Sequence, residues 1–252
     1  TLNSFSCNAF GGTIVSRGEL NLQEMLRPRF GLSLDMSNVN GHMLLSEFTS
    51  FGSRIFGTLA MQSTMRGALD DTLGLRPETL EGQGTIRISE GKLVGVQVNK
   101  AIASRLSLPS LEEIAFSDWS NTFTIRDGRF QIKDLTIRGS QADYTVNGSQ
   151  GLDGTLDYTL GLVLPREASD RVMVAGFAGD ALNMFKDTDG RFRFDFGVTG
   201  TTDNPEVALQ TDAARRRLEE IARQKITEES KRLKDQAKKK GEELLDKLLK
   251  KK

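Results

Sequence analysis

Apolar and polar residues alternate with a period of two along most of the chain, as far as about residue 210. This is the pattern of strands buried on one face only. RFGLSLDM places Phe30, Leu32, Leu34 and Met36 on one side, and IFGTLAMQSTM does the same with Ile55, Leu59, Met61 and Met65. GQGTIRISEGKLVGVQV, residues 82–98, reads as two strands around a turn, with Ile86 and Ile88 on one arm and Val94, Val96 and Val98 on the other. FTIRDGRFQI brackets an Asp127-Gly128 hairpin turn. Beyond it the apolar parity moves to Leu135 and Ile137, which predicts a bulge or bend near Lys133 and Asp134. QADYTVNGS alternates through Ala142, Tyr144 and Val146 and ends on an Asn147-Gly148 turn. GTLDYTLGLVLP puts Leu156, Tyr158, Leu160, Leu162 and Leu164 on one face before Pro165 stops it. RFRFDFGVTG alternates through Phe192, Phe194, Phe196 and Val198. These patterns amount to about ten strands.

Residues 38–50, 99–116 and 168–185 break the alternation and read as short helices or crossovers, too few to cover so much sheet. Residues 212–252 lack proline, hold few β-branched residues and are densely charged, which predicts one long helix of about 57 Å. The chain therefore divides into a β domain, residues 1–210, and a basic amphipathic C-terminal helix, residues 211–252. A weak repeat of the glycine-flanked strand pattern around Gly84–Val96 and Phe123–Ile132 is consistent with a stacked β array.

Composition adds two constraints. The 25 glycines exceed the usual share of about 7% and suit tight turns. The net charge of zero conceals an asymmetry: residues 215–252 hold 15 Lys/Arg against 8 Asp/Glu, and the rest of the chain is correspondingly acidic. No run of about 18 apolar residues is present, and the start carries no signal-peptide pattern. Because the chain opens at Thr1 within the alternating stretch TLNSFSCNAFGG, it is expected to be the C-terminal piece of a longer protein.

Chemistry-bearing motifs are sparse. A single cysteine, Cys7, excludes an internal disulfide, and a single histidine, His42, leaves no Ser/His/Asp constellation without it and removes most zinc sites. KDTDGRF resembles the first half of a calcium loop, but the closing bidentate carboxylate is missing and a hairpin turn is the better reading. Gly148, Gly151 and Gly154 in GSQGLDGT read as turn glycines, without phosphate-loop spacing. No catalytic residue, metal site or cofactor is expected. The basic tail lacks aromatics to stack on bases, which argues against nucleic acid. Its cluster Leu244, Leu245, Leu248 and Leu249, followed by Lys250 and Lys251, suits an anionic membrane surface or a partner protein. The one-sided strands leave two architectures open: a closed sandwich or barrel core, or an open groove for an apolar ligand.

The order of these segments resembles a known family. LEGQGTIRISEGKLVGVQVNKAIASRLSL, then FTIRDGRFQIKDLTIRGSQADYTVNGSQGLDGTLDYTLGLVLP, then FDFGVTGTTDNPEVAL is similar to the C-terminal region of AsmA-family proteins, over roughly residues 55–210. The resemblance implies a mainly β fold: a twisted antiparallel β-sheet groove with a few short helices and a long C-terminal α-helix. It also implies a non-enzymatic, periplasmic cell-envelope protein, anchored in the inner membrane through an N-terminal segment absent from this chain. Such a protein would bind phospholipid and serve lipid transport and outer-membrane biogenesis. On this reading the groove floor is lined by Ile86, Ile88, Val94, Val96, Val98, Leu156, Tyr158, Leu160, Leu162, Phe192, Phe194 and Phe196. The alternative is a β scaffold that docks a membrane or protein through its basic helix and carries no lipid.

Overall fold

The computed structural model describes residues 2–23, 27–47, 52–172 and 179–249. Among these residues eleven strands form one antiparallel sheet in which every strand pairs with its sequence neighbour, in the order β1 to β11. They are β1 (Leu2–Ala9), β2 (Gly12–Asn21), β3 (Arg29–Asn40), β4 (Ile55–Ala68), β5 (Glu81–Leu93), β6 (Ile114–Arg126), β7 (Arg129–Arg138), β8 (Asp143–Gly151), β9 (Leu156–Val163), β10 (Arg193–Gly200) and β11 (Pro205–Leu209). The sheet is mainly β as expected and does not close on itself. Among the described residues three α-helices accompany it: α1 (Gly41–Ser46), α2 (Gln97–Leu106) and α3 (Thr211–Leu249).

Directly opposed residues on neighbouring strands share a face, so the register shows what each face carries. One row runs Leu34, Ser63, Gly84, Phe123, Ile132, Gly148, Tyr158, Val198, Val207 from β3 to β11. The adjacent row on the other face runs Ser33, Thr64, Gln83, Thr124, Gln131, Ser149, Asp157. One face is thus apolar and the other polar across the width of the sheet.

Bulges preserve this separation. The register shifts between Ile132 and Leu135, where Asp134 adopts a φ of 52°, so Leu135 and Ile137 stay on the apolar face despite their change of parity. Asn147 Oδ1 accepts a hydrogen bond from the Asp134 N–H at 2.7 Å. A second shift, between Met36 and Val39, does the same in β3.

Several turns are those read from the sequence. Asp127 and Gly128 both have positive φ, as the two-residue hairpin requires. The Asp187 carboxylate accepts from the backbone N–H groups of Asp189 and Arg191, both at 2.9 Å, and pairs with the Arg191 guanidinium, so KDTDGRF is a turn. At residues 152–154 the Thr155 N–H and hydroxyl donate to Asp153, which lowers the pKa of that carboxyl.

Two local readings are corrected. Residues 82–98 are not two strands around a turn: β5 is a single strand from Glu81 to Leu93, with only a kink at Glu90 (φ 51°). Val94 follows the strand, Val96 is the N-cap of α2 and Val98 lies in its first turn. The valine alternation that imitates a strand therefore belongs to a loop and a helix start. Nor does the chain turn at Asn147-Gly148, because β8 continues to Gly151. Gly148 is a strand glycine whose Cβ would press on the Tyr158 backbone at 2.7 Å.

Glycine surplus serves the sheet interior as much as its turns. Phe30 lies opposite Gly67, Phe123 opposite Gly84 and Phe116 opposite Gly91. A Cβ would come within 3.0 Å of the Phe30 ring at Gly67 and 2.9 Å of the Phe123 ring at Gly84, and at Gly91 it would overlap the Phe116 ring. Each ring lies over its glycine and covers apolar surface that a larger opposing residue would displace. We expect Gly91→Val to lower the unfolding free energy by about 1–3 kcal/mol through overpacking. In a Phe116→Leu background the same substitution should cost less, and a double-mutant cycle in urea measures that coupling.

Candidate functional site: an apolar sheet face covered on one half

The apolar face has two halves of different character. Over β6–β11 it is packed beneath α2 and the segments after β9. One core cluster joins Ile102, Ala103 and Leu106 of α2 with Leu108 and Leu111, Leu135, Ile137, Tyr144, Leu160, Leu162, Phe185, Phe192, Phe194 and Phe196. Phe185 reaches the cluster from a 3-10 turn, Gly179–Phe185, and its ring centroid lies 5.1 Å from that of Phe194. Ala214 in the first turn of α3 closes the same cluster. The sheet curls to permit this: α2, which follows β5, touches β11, and Arg54 lies 3.9 Å from Asp203 in the β10–β11 turn. Arg54 also donates to the Gly95 carbonyl just before α2.

Over β1–β5 the described residues cover the same face only at its margins. The short helix α1 packs Leu44 against Met36, Val39 and Leu59 at one end. The Met43 N–H donates to Asn40 Oδ1 at 3.0 Å and caps α1, and the His42 ring stacks on Phe56 with centroids 4.3 Å apart. At the other end Leu80 packs with Phe123 and Ile125. Between them Ile14, Phe30, Leu32, Leu34, Met61, Met65 and Ile86 are half-buried by their own neighbours, and Phe5 is 51% exposed. Among the described residues no helix or second sheet lies over this strip.

Across the sheet from it, the polar rows of β2–β6 border a shallow depression of about 550 Å³. Arg17, Ser33, Asp35, Gln62, Thr64, Gln83, Thr85, Thr122 and Thr124 line it, and Gln62 Nε2 donates to Asp35 at 3.2 Å. That side offers many hydrogen-bonding side chains, with Val15 among them.

The structure distributes the expected floor residues unevenly. Leu160, Leu162, Phe192, Phe194, Phe196, Ile88 and Val96 are buried under protein, and Leu156, Tyr158 and Val98 pack against the same covered cluster. Val94 is half-buried in the loop before α2, and Ile86 alone lies on the open strip. The rest of the strip comes from strands whose alternation the sequence showed, with Phe30, Leu32 and Leu34 in β3 and Met61 and Met65 in β4, and from Ile14 in β2, which no sequence pattern had singled out. Of the tail cluster, Lys250 and Lys251 lie outside the described residues, and Leu244, Leu245, Leu248 and Leu249 lie within α3. Earlier in α3, Leu218, Ile226 and Leu233 are 46%, 69% and 61% exposed.

Among the described residues, no group of three or more His, Cys, Asp or Glu is placed to hold a metal, and no helix is long and apolar enough to cross a membrane. Two tyrosines are the most strongly perturbed groups: burial raises Tyr158 to about 12 and Tyr144 further still. No protein-family model, curated protein or solved structure matches the chain.

These phenols set a pH response. Between about pH 10 and 12 the unfolded chain releases the Tyr158 proton that the folded chain retains. Stability therefore falls as pH rises, at up to about 1.4 kcal/mol per pH unit for each tyrosine. At neutral pH both states hold the proton and the effect vanishes. Urea titrations at about pH 7 and 11 should show this loss, and the Tyr144→Phe, Tyr158→Phe double variant should show much less of it. The buried Tyr144 hydroxyl has no hydrogen-bond partner, so Tyr144→Phe alone should leave neutral-pH stability unchanged or raise it by up to about 1 kcal/mol.

Proposed function

We propose that the protein binds phospholipid through acyl chains laid on the open apolar strip of β1–β5, without catalysing a reaction. The observation that carries this reading is that strip: a regular, one-sided apolar face with no described element over it. Its width, five strands at about 4.8 Å spacing, is of the order of 20 Å. A face of this kind holds a chain non-directionally while the head group remains in water. Burying about 15 methylenes at ~0.8 kcal/mol each offers on the order of 10 kcal/mol before the entropy of binding is subtracted.

The AsmA-like order of segments supports placing this activity in the bacterial cell envelope. There the protein would face the periplasm, carry lipid between membranes and support outer-membrane biogenesis, with inner-membrane anchorage supplied elsewhere in the protein. Movement along the strip is passive sliding, since the sequence contains no nucleotide-binding motif to drive it. The covered half acts as a fixed stop: Phe185, Phe194 and the α2 side chains occupy the volume that an acyl chain would otherwise fill.

A second reading, a scaffold that docks a membrane or protein through α3, is favoured by the exposure of Leu218, Ile226 and Leu233 on that helix. Mass spectrometry of organic extracts from the folded protein distinguishes the two. We expect co-purified phospholipid in the full chain and in a chain ending after residue 215. A Leu34→Asp, Met61→Asp variant should retain its β circular dichroism and lose the lipid. Phospholipid that persists in that folded variant, or absence of lipid from the full chain, rejects the lipid reading.

A further inference from the structure

The apolar residues of α3 recur with a period that a coiled coil does not have. Between Leu218 and Leu248, positions taken at steps of four, four and three residues hold Leu218, Ala222, Ile226, Leu233, Ala237, Leu244 and Leu248, with Glu229 and Lys240 at the other two. Elsewhere in that stretch only Ile221 and Leu245 are apolar. Such steps repeat every eleven residues, which is three turns at about 3.67 residues each. That is close to the ~3.6 of an α-helix, so these positions make one nearly straight stripe about 45 Å long. A left-handed coiled coil needs a repeat of about 3.5. Between Leu218 and Gln236 every described residue is exposed, Ile226 to 69% and Leu233 to 61%.

Charge is arranged around this stripe. Arg223, Lys225, Arg232, Lys234 and Lys238 fall along its two borders, against Glu220 and Glu243 there. Glu228, Asp235, Glu242 and Asp246 recur at steps of seven and four residues on the opposite side of the helix. Cations beside an apolar stripe, with acids turned away from it, suit a helix lying in an anionic head-group layer. Long basic side chains there cover apolar surface with their stems and keep their charges in water. A partner helix fits less well. Glu229 and Lys240 lie within the stripe, and a helix–helix seam would strip water from both, whereas a bilayer surface leaves them hydrated. We infer that α3 lies flat on an anionic lipid bilayer with this stripe turned into it. The inference rests on the docking reading of α3, whose partner it names, and is independent of the open strip on the sheet.

Co-sedimentation of the full chain with lipid vesicles tests this. Vesicles of phosphatidylglycerol and phosphatidylcholine in equal parts should bind it about tenfold or more tighter than phosphatidylcholine alone. Salt at about 1 M, where the screening length falls to about 3 Å, should remove most of that difference. The Ile226→Gln, Leu233→Gln variant takes apolar surface from two exposed positions without changing charge. It should keep the circular dichroism of the parent and bind the anionic vesicles about tenfold less. The Leu34→Asp, Met61→Asp variant, altered only on the sheet, should bind them as the parent does. Absence of binding to anionic vesicles overturns the inference and leaves docking of a protein by α3 intact. Equal binding to the two kinds of vesicle overturns it as well. Binding that is unchanged in the Ile226→Gln, Leu233→Gln variant and lost in the Leu34→Asp, Met61→Asp variant assigns the membrane contact to the sheet, and rejects docking through α3 together with the inference.

Discussion

The structure depends on the register between neighbouring strands. Each strand is hydrogen-bonded to the one before it in the chain, so a short connection usually sets the alignment of each pair. Because side chains alternate with a period of two, a one-residue slip anywhere would turn the rest of a strand's apolar residues to water. The bulges at Asp134 and between Met36 and Val39 show the constraint operating: where the sequence changes parity, the backbone takes up the extra residue and the faces remain separate. Rows such as Leu34 to Val207 on one side and Ser33 to Asp157 on the other persist across most of the sheet for this reason.

A one-sided sheet must find cover for its apolar face, and among the described residues this one finds it for only half. The curl that brings α2 against β11 encloses the aromatic residues of β10 with Phe185 and the start of α3. Over β1–β5 the cover consists of the single turn of α1, Leu80 and the phenylalanine rings that lie over glycines. The proposed lipid strip is a consequence of this uneven coverage, and Cys7 and Phe5 begin the rows that lead onto it.

Much of the fold was legible in the chain. The alternation in β3, β4, β9 and β10, the Asp127-Gly128 turn, the parity change at Leu135 and the extent of α3 all follow from local rules. The misread segments are those in which local pattern has two solutions. Val94, Val96 and Val98 alternate like a strand, yet the first two precede a helix and the third begins it, and Asn147-Gly148 imitates a turn within an uninterrupted strand. The candidate site was legible as a face and not as a place on it. Phe194 and Phe196 have the strongest alternation in the chain and are fully covered, whereas Leu34 and Met61 have an ordinary pattern and remain half-exposed.

The sequence by itself determined that this chain forms many antiparallel strands with one apolar face, a polar opposite face and a long charged helix, because these properties depend on the spacing of residues along the chain. The tertiary structure decided which part of the apolar face is covered. Cover comes from distant segments, α2, the turn ending at Phe185 and Ala214, whose positions depend on how strongly eleven strands curl in sum. That curl accumulates from small rotations between successive strands, and it has no signature in the alternation of any one of them.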